Sequence, residues 1–329
     1  MDMYVLKVRA SQSSDSRSRM LTCAIACESH DHLATGVLYS SLPETPSRVF
    51  ALCQSCFEVF MQPLLNIAIR AARRAGEIIV RGMNRLHRLE IHRKGQNDFV
   101  SEIDVQAERD IIETIRKHYP DHGVLAEESG ASEGRSGDDE FVWIIDPLDG
   151  TTNFLHGFPQ FAVSIGIQRR GRMEHAVVYD PLRQELFTTS RGEGAQLDGR
   201  RIRVSTHVGL EGALIGTGFP YRSNLHWLDS YMAMMKSVTQ QTAGIRRPGA
   251  AALDLAYVAA GRLDGFWEMG LSPWDTAAGS LLITEAGGMV ATLNGGEYKL
   301  QPHILAGSPK VYTPLLELLR PHLPESLRE

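Results

Sequence analysis

Apolar residues first settle into a helical period between Pro63 and Gly82, where Leu64, Leu65, Ile67, Ala68, Ala71, Ala72, Ala75, Ile78 and Ile79 recur around Arg70, Arg73, Arg74 and Glu77. That spacing predicts an amphipathic packing helix. An extended segment, Leu89–Arg93, and a polar loop, Lys94–Asp98, lead to Ser101-x-x-Asp104, a capping-box-like start to a second helix bearing Ile103, Ala107, Ile111, Ile112 and Ile115. The period then shortens to two. Pro120–Glu128 reads as a strand, Phe141–Ile145 as a buried β-branched strand, and Phe161, Val163, Ile165 and Ile167 alternate with smaller residues. Ala176–Tyr179, Glu185–Thr189 and Ala195–Leu197 continue as short strands joined by Asp-Pro, Arg-Gly and Asp-Gly turns. Hairpin-linked strands predict an antiparallel sheet, sandwiched by the two earlier helices, in an α+β domain over 61–204.

The second half, 205–329, alternates helix and strand and reads as an α/β domain. Ala213–Thr217 is strand-like, and Leu228, Met232, Met235 and Val238 mark a helix whose methionines serve as core filler. Arg246-Arg247-Pro248-Gly249 is a basic turn before a small-residue helix, Ala250–Ala260, and Phe266–Glu268 is a strand. Ser272-Pro273-Trp274-Asp275 opens another helix with Ser as N-cap and Pro as first residue, ending at Gly287-Gly288. Met289–Leu293 and Pro309–Leu319 close the chain as a strand and a helix.

Composition adds bounds. With 329 residues, 43% hydrophobic, 22% charged and a net charge of −5, the chain is expected to be soluble, with ample length for a core. No run of 18 apolar residues implies a membrane span, and the charge balance is too even to argue for nucleic acid. All four cysteines, Cys23, Cys27, Cys53 and Cys56, precede residue 60, so no disulfide framework holds the main body, in accord with a cytoplasmic location. Residues 1–60 are expected to be an upstream extension without a fold of its own. A zinc site from those cysteines with His30 and His32, or a targeting peptide, competes with that reading.

Candidate chemistry concentrates in Trp143–Pro159, WIIDPLDGTTNFLHGFP. A buried strand gives way to Asp146, Asp149, Gly150, Thr151 and Thr152, with Pro147 fixing a tight bend between the two carboxylates. The same letters also make a surface turn with a threonine N-cap. Following an apolar strand, carboxylates beside exposed N–H donors suit a hard metal together with a phosphate. Glu127 and Glu128 read either as solvated surface or as ligands, and Asp275 either as a favourable charge at a helix N-terminus or as a ligand.

WIIDPLDGTTNF, together with AEES at Ala126–Ser129 and WDTAAGSLLITEAGG at Trp274–Gly288, resembles the inositol monophosphatase family of magnesium-dependent, lithium-sensitive phosphatases, in the family's order. GAAALDLAYVAAGRLDGFWE at Gly249–Glu268 further resembles its bacterial, SuhB-type branch. The likeness runs from about Met61 to Leu323, and it implies a layered αβαβα sugar-phosphatase sandwich, a cytoplasmic homodimer and Mg²⁺ at two or three ions per site. One ion would be held by Glu127, Asp146 and the Leu148 carbonyl, a second by Asp146, Asp149 and Asp275, and a weaker third again by Glu127. Water would attack without a covalent phosphoenzyme, with Thr151 and Asp104 helping to take its proton. Gly150 and Thr151 would donate to the phosphate, while Asp149, Ala251 and Glu268 would face the substrate hydroxyls. Lys94 corresponds to a basic active-site loop residue. Two departures stand out: Ser101 where threonine is common, and Asp254 where animal enzymes carry asparagine. The first leaves the chemistry untouched and the second bears on ring selectivity.

The implied activity is hydrolysis of inositol monophosphate and related small monoesters, with another sugar or nucleotide phosphate as the rival substrate. SuhB-type proteins are also associated with transcription antitermination, which implies a partner in the transcription machinery and makes Arg246-Arg247 either its contact surface or a homodimer interface.

Overall fold

The computed structural model describes residues 8–10, 21–23, 46–86, 91–95, 98–135, 140–220 and 222–328, with side chains described over 63–86, 101–135, 140–220 and 224–328. The chain divides into two compact units, Met1–Met61 and Gln62–Glu329. In the first, β1 (Val8–Ala10) pairs antiparallel with β2 (Leu21–Cys23). The cysteine and histidine side chains weighed as a zinc site, the Lys94 side chain and loop residues 136–139 lie outside the described residues.

Helix α1 (Pro46–Met83) begins well before Pro63, where the periodic stripe opens, because an interior proline removes one backbone hydrogen bond without ending a helix. β3 (Ile91–Gly95) and β4 (Asp98–Ser101) form a hairpin, so part of the expected polar loop is strand. α2 (Glu102–His118) follows with Ser101 as N-cap and a complete capping box to Asp104.

The larger sheet has eight strands in the order β12-β11-β10-β9-β8-β7-β5-β6. These are β5 (Gly123–Ala126), β6 (Gly130–Ser132), β7 (Phe141–Asp149), β8 (Ala162–Arg169), β9 (Arg172–Asp180), β10 (Glu185–Ser190), β11 (Gly194–Leu197) and β12 (Arg200–Arg201). The expected antiparallel sheet is mixed: β6 folds back at the edge, and β7 re-enters parallel to β5. The short helix α3 (Thr151–Leu155) follows β7 directly.

The two early helices do not sandwich this sheet; they share one face. Along β9 the side chains alternate, Val178 joining the core with the later helices and Tyr179 turning to α1, where a Cβ on Gly76 would lie 2.6 Å from its ring. α2 lies beside α1, with Ile103 filling the space that Gly82 leaves open. The opposite face is covered by α5 (Ala251–Ala259) and α6 (Pro273–Glu285), whose small residues let Leu255 pack onto Gly279.

Beyond α5 and α6 lies a five-stranded sheet in the order β14-β13-β15-β17-β16, built from β13 (Leu214–Thr217), β14 (Gly244–Arg246), β15 (Gly265–Met269), β16 (Met289–Ala291) and β17 (His303–Gly307). β13 runs parallel to β14 and β15, and the remaining pairs are antiparallel. Its outer face carries α4 (Leu228–Gln241) and α7 (Pro309–Leu319) through Trp267, Leu305, Val311 and Leu315. The layers therefore run αβαβα. On α4 the buried stripe is Tyr231, Met234 and Val238, while Leu228 and Met232 are exposed, a phase different from the one the methionine spacing suggests. The Tyr231 hydroxyl, 3.2 Å from Thr217 Oγ1, sits in this inward phase. No helix among the described residues is long and apolar enough to cross a membrane.

Candidate active site

Asp146 and Asp149 do not stand in a turn after a strand; both belong to β7, across a bulge. Asp146 is paired with Ser164 and Asp149 with Ala162, so three steps on β7 match two on β8. Ser164 and Ala162 share a face, and the extra residue brings both carboxylates to that face when an unbroken alternation would separate them. Pro147, with no N–H to give the ladder, sits within the bulge.

A third carboxylate arrives from α6. Asp146, Asp149 and Asp275 each offer an oxygen within 4.8 Å of the others. Glu127, just beyond β5, hydrogen-bonds with Asp146, and its amide donates to Ile145 O at 3.1 Å. These residues, with Leu148, Gly150, Thr151, Ala251 and Glu268, line one cleft of about 710 Å³ between the end of β7, α5 and α6. Of the sequence-selected site residues, Asp104 lies behind that wall and touches it through Thr151.

Each acidic group is held by a local interaction as well as by convergence. Asp275 Oδ2 accepts from the Ser272 amide at 2.7 Å, completing the capping box of α6, so the helix-end role and the cluster role coexist. Asp149 Oδ2 accepts from the Ala252 amide at 2.7 Å, placing its charge at the N-terminus of α5, where Ala250 supplies no side-chain cap. Asp104 also does both things: Oδ2 takes the Ser101 amide at 2.9 Å, and Oδ1 takes the Thr151 hydroxyl at 2.8 Å.

Burial and crowding raise the cluster's proton affinity. Asp146 titrates well above the usual carboxylate range, through desolvation first and then the charges of Glu127, Asp149 and Asp275. Asp149 is pushed up to about 8 by burial and Asp275, against the opposing amides of α5. Glu268 also rises to about 8, from burial and Asp275, with Arg247 opposing. Burial lifts Asp104 too, against the hydrogen bonds from Ser101 and Thr151. Crowded carboxylates remain ionised together only with a cation among them, and an all-oxygen donor set of this kind fits a hard divalent ion.

Two glycines make the space. Gly150, at φ +94°, caps α3, and a Cβ there would lie 2.8 Å from Gln160 O. At Gly218 a Cβ would collide with the Glu268 carboxylate. Sequence reasoning passes over three supports. Asn153 Nδ2 donates to Gln160 O at 2.8 Å and to Pro248 O at 2.9 Å, tying the central motif to the loop before α5. Ser164 Oγ donates to Trp274 O at 3.2 Å, joining β8 to the start of α6. Glu108, buried on α2, accepts from the Glu128 and Ser129 amides. Only the threonine-asparagine of the central motif carries a local signal; the others look like ordinary helix or strand residues. Both members of the basic pair are exposed, Arg246 on edge strand β14 and Arg247 at the rim of the cleft, 5.2 Å over the Phe219 ring.

The Inositol monophosphatase family model matches residues 61–324. Among curated proteins the chain is similar to the Nus factor SuhB of Pseudomonas aeruginosa, 56% identical over 270 residues that cover 82% of this chain and 100% of that protein. Among solved structures it is similar to the extragenic suppressor protein SuhB of Bartonella henselae, at 43% identity and TM-score 0.76, covering 78% of this chain and 98% of that one. The inositol monophosphatase of Anabaena is similar at 39% identity and TM-score 0.69, covering 81% and 98%.

Proposed function

The chain belongs to the inositol monophosphatase family, and from that premise we propose that it hydrolyses inositol monophosphate and related small phosphate monoesters with Mg²⁺. The observation that carries this reading is the meeting of Glu127, just after β5, with Asp146 and Asp149 from β7 and Asp275 from α6, in a single cleft beside Thr151.

Glu127, Asp146, Asp149, Asp275 and the Leu148 carbonyl would hold two or three Mg²⁺ ions. When bound, the ions neutralise the phosphate and the leaving alkoxide and favour an ionised water. Thr151 donates its own proton to Asp104, which leaves its oxygen lone pair turned to accept one from the attacking water. Asp104, with its raised proton affinity, stabilises that transfer from behind. The Gly150 and Thr151 amides meet the phosphate. Glu268, Asp149 and Ala251 meet the hydroxyls of the leaving group, and Glu268 accepts or donates according to its protonation near pH 8. A phosphate-release panel tests the substrate class. A preference for inositol 1-phosphate over fructose bisphosphate and 3′-phosphoadenosine compounds is expected, and no preference overturns it.

A second role has its own support, since a relative 56% identical is named a Nus factor. In this reading the cytoplasmic, homodimeric protein also acts as a folded partner of the antitermination machinery, with exposed Arg246 at the contact or at the dimer interface. An Asp146→Asn variant that loses phosphatase activity yet complements a growth defect supports the role. Loss of both together argues against it.

A further inference from the structure

Three consecutive amides follow Ala126 where the chain leaves β5, and each has a defined acceptor. Glu127 N–H donates to Ile145 O at 3.1 Å, on the strand that ends in the Asp146–Asp149 bulge. Glu128 N–H donates to Glu108 Oε2 and Ser129 N–H to Glu108 Oε1, both at 2.8 Å. One carboxylate thus receives two adjacent amides with its two oxygens, a bidentate grip on charge-assisted hydrogen bonds. Glu108 is 3% exposed, so the grip is set within the fold and not on a solvated surface.

Its place on α2 gives the grip a consequence. Glu108 lies four residues after Asp104, one turn along the same helix face. Asp104 holds Thr151 at 2.8 Å, and Glu108 holds the backbone immediately after Glu127. A single helix therefore holds both the Thr151 hydroxyl and the backbone that follows Glu127. Without Glu108, the turn 127–129 loses two backbone anchors on the side of α2, and Glu127 is set less firmly between the Ile145 bond and the Ala126–Gly130 pair that closes the hairpin.

We infer that Glu108 is a positioning residue for the cation site, holding Glu127 in place by clamping the Glu128 and Ser129 amides from α2. The inference rests on the reading of Glu127 as a metal ligand. Glutamine at this position keeps the size but presents an NH₂ to one of the two amide donors, so one bond becomes a donor–donor contact. Partners that orient ligands in this way cost about 10–100-fold in metal affinity or activity when changed.

The test compares the full chain with Glu108→Gln, Ser129→Pro and Glu127→Gln. It measures Mg²⁺ binding by calorimetry, Mg²⁺ half-saturation of turnover at saturating inositol 1-phosphate, substrate KM at saturating Mg²⁺, and thermal unfolding in EDTA. Glu108→Gln is expected to weaken Mg²⁺ binding and raise half-saturation about 10-fold or more, with substrate KM little changed. Ser129→Pro removes one donor from the other side of the clamp, leaves Glu108 intact, and should shift Mg²⁺ affinity in the same direction even if Glu108→Gln does not fold. A lower unfolding temperature with unchanged Mg²⁺ affinity in whichever of these two variants folds overturns the inference while leaving the phosphatase reading standing, provided Glu127→Gln loses the ion. A parent protein that binds no Mg²⁺ overturns both.

Discussion

The Thr151 hydroxyl donates to Asp104 Oδ1 at 2.8 Å, joining residues 47 apart in the chain, while the other oxygen of the same carboxylate caps α2 through the Ser101 amide. One buried aspartate thereby anchors a helix start and orients the hydroxyl at the head of α3. Removing the hydroxyl alone separates the two functions. Thr151→Ala should lower kcat by about 10²–10⁴-fold, the usual range for a lost acid–base group, with substrate KM little altered. Thr151→Ser should keep most of the rate. Steady-state kinetics on inositol 1-phosphate checks both, and a Thr151→Ala enzyme with normal kcat rules out the proton path through Asp104.

Crowding in the cluster makes the metal-free protein sensitive to pH. Asp149 and Glu268 hold protons to about pH 8 when folded, but release them near pH 4 when unfolded. Across that window the folded state binds more protons, so the slope of stability with pH is negative. The contribution is complete below about pH 4 and is lost as pH rises through about 8. In EDTA the unfolding midpoint should therefore fall between about pH 6 and pH 8. Added Mg²⁺ should raise it more at the higher pH, because the ion competes with protons for the same oxygens. Calorimetric scans over a pH series read this directly, and a midpoint in EDTA that climbs towards pH 8 contradicts it.

Neutralising one member of the cluster should then act oppositely on function and on stability. Asp146→Asn removes a buried carboxyl whose ionised form is opposed by burial and by Glu127, Asp149 and Asp275 at once. Phosphatase activity should be nearly abolished, while the EDTA-treated variant unfolds at or above the temperature of the parent at about pH 8. An Asp146→Asn protein that retains activity with Mg²⁺ removes this residue from the chemistry.

The layers and the cluster were legible in the chain for different reasons. The amphipathic stripe from Leu64 to Ile79 reports directly on which helix face is buried, whereas from Phe161 to Ile167 both strand faces are buried and the alternation only sorts larger from smaller side chains; the helices and sheets still follow from period. Which helix covers which face does not, since α1 and α2 carry no mark that assigns them to one side. The carboxylates stand out as letters, but the bulge that turns Asp146 and Asp149 the same way depends on the register with β8, a property of two strands. Glu108 and Gly218 are silent for the same reason. Their partners, the amides at 128–129 and the Glu268 carboxylate, lie elsewhere in the chain, and nothing local distinguishes them from other glutamates and glycines.

Gly218 gives a test of substrate recognition that leaves the cation ligands untouched. It follows β13, and the missing side chain is the space that the Glu268 carboxylate occupies. Glu268 extends from β15 on the same face as Phe266, towards α5, so it cannot retreat without disturbing that layer. Gly218→Ala should displace the carboxylate, raising KM for inositol 1-phosphate by about 10-fold, as expected for the loss of one or two hydrogen bonds to ring hydroxyls. A phenyl phosphate, which offers no such hydroxyls, should be hydrolysed at nearly the parental kcat/KM, and Glu268→Gln should show the same split. Equal losses on both substrates would mean that the carboxylate supports the cation cluster instead of reading the leaving group.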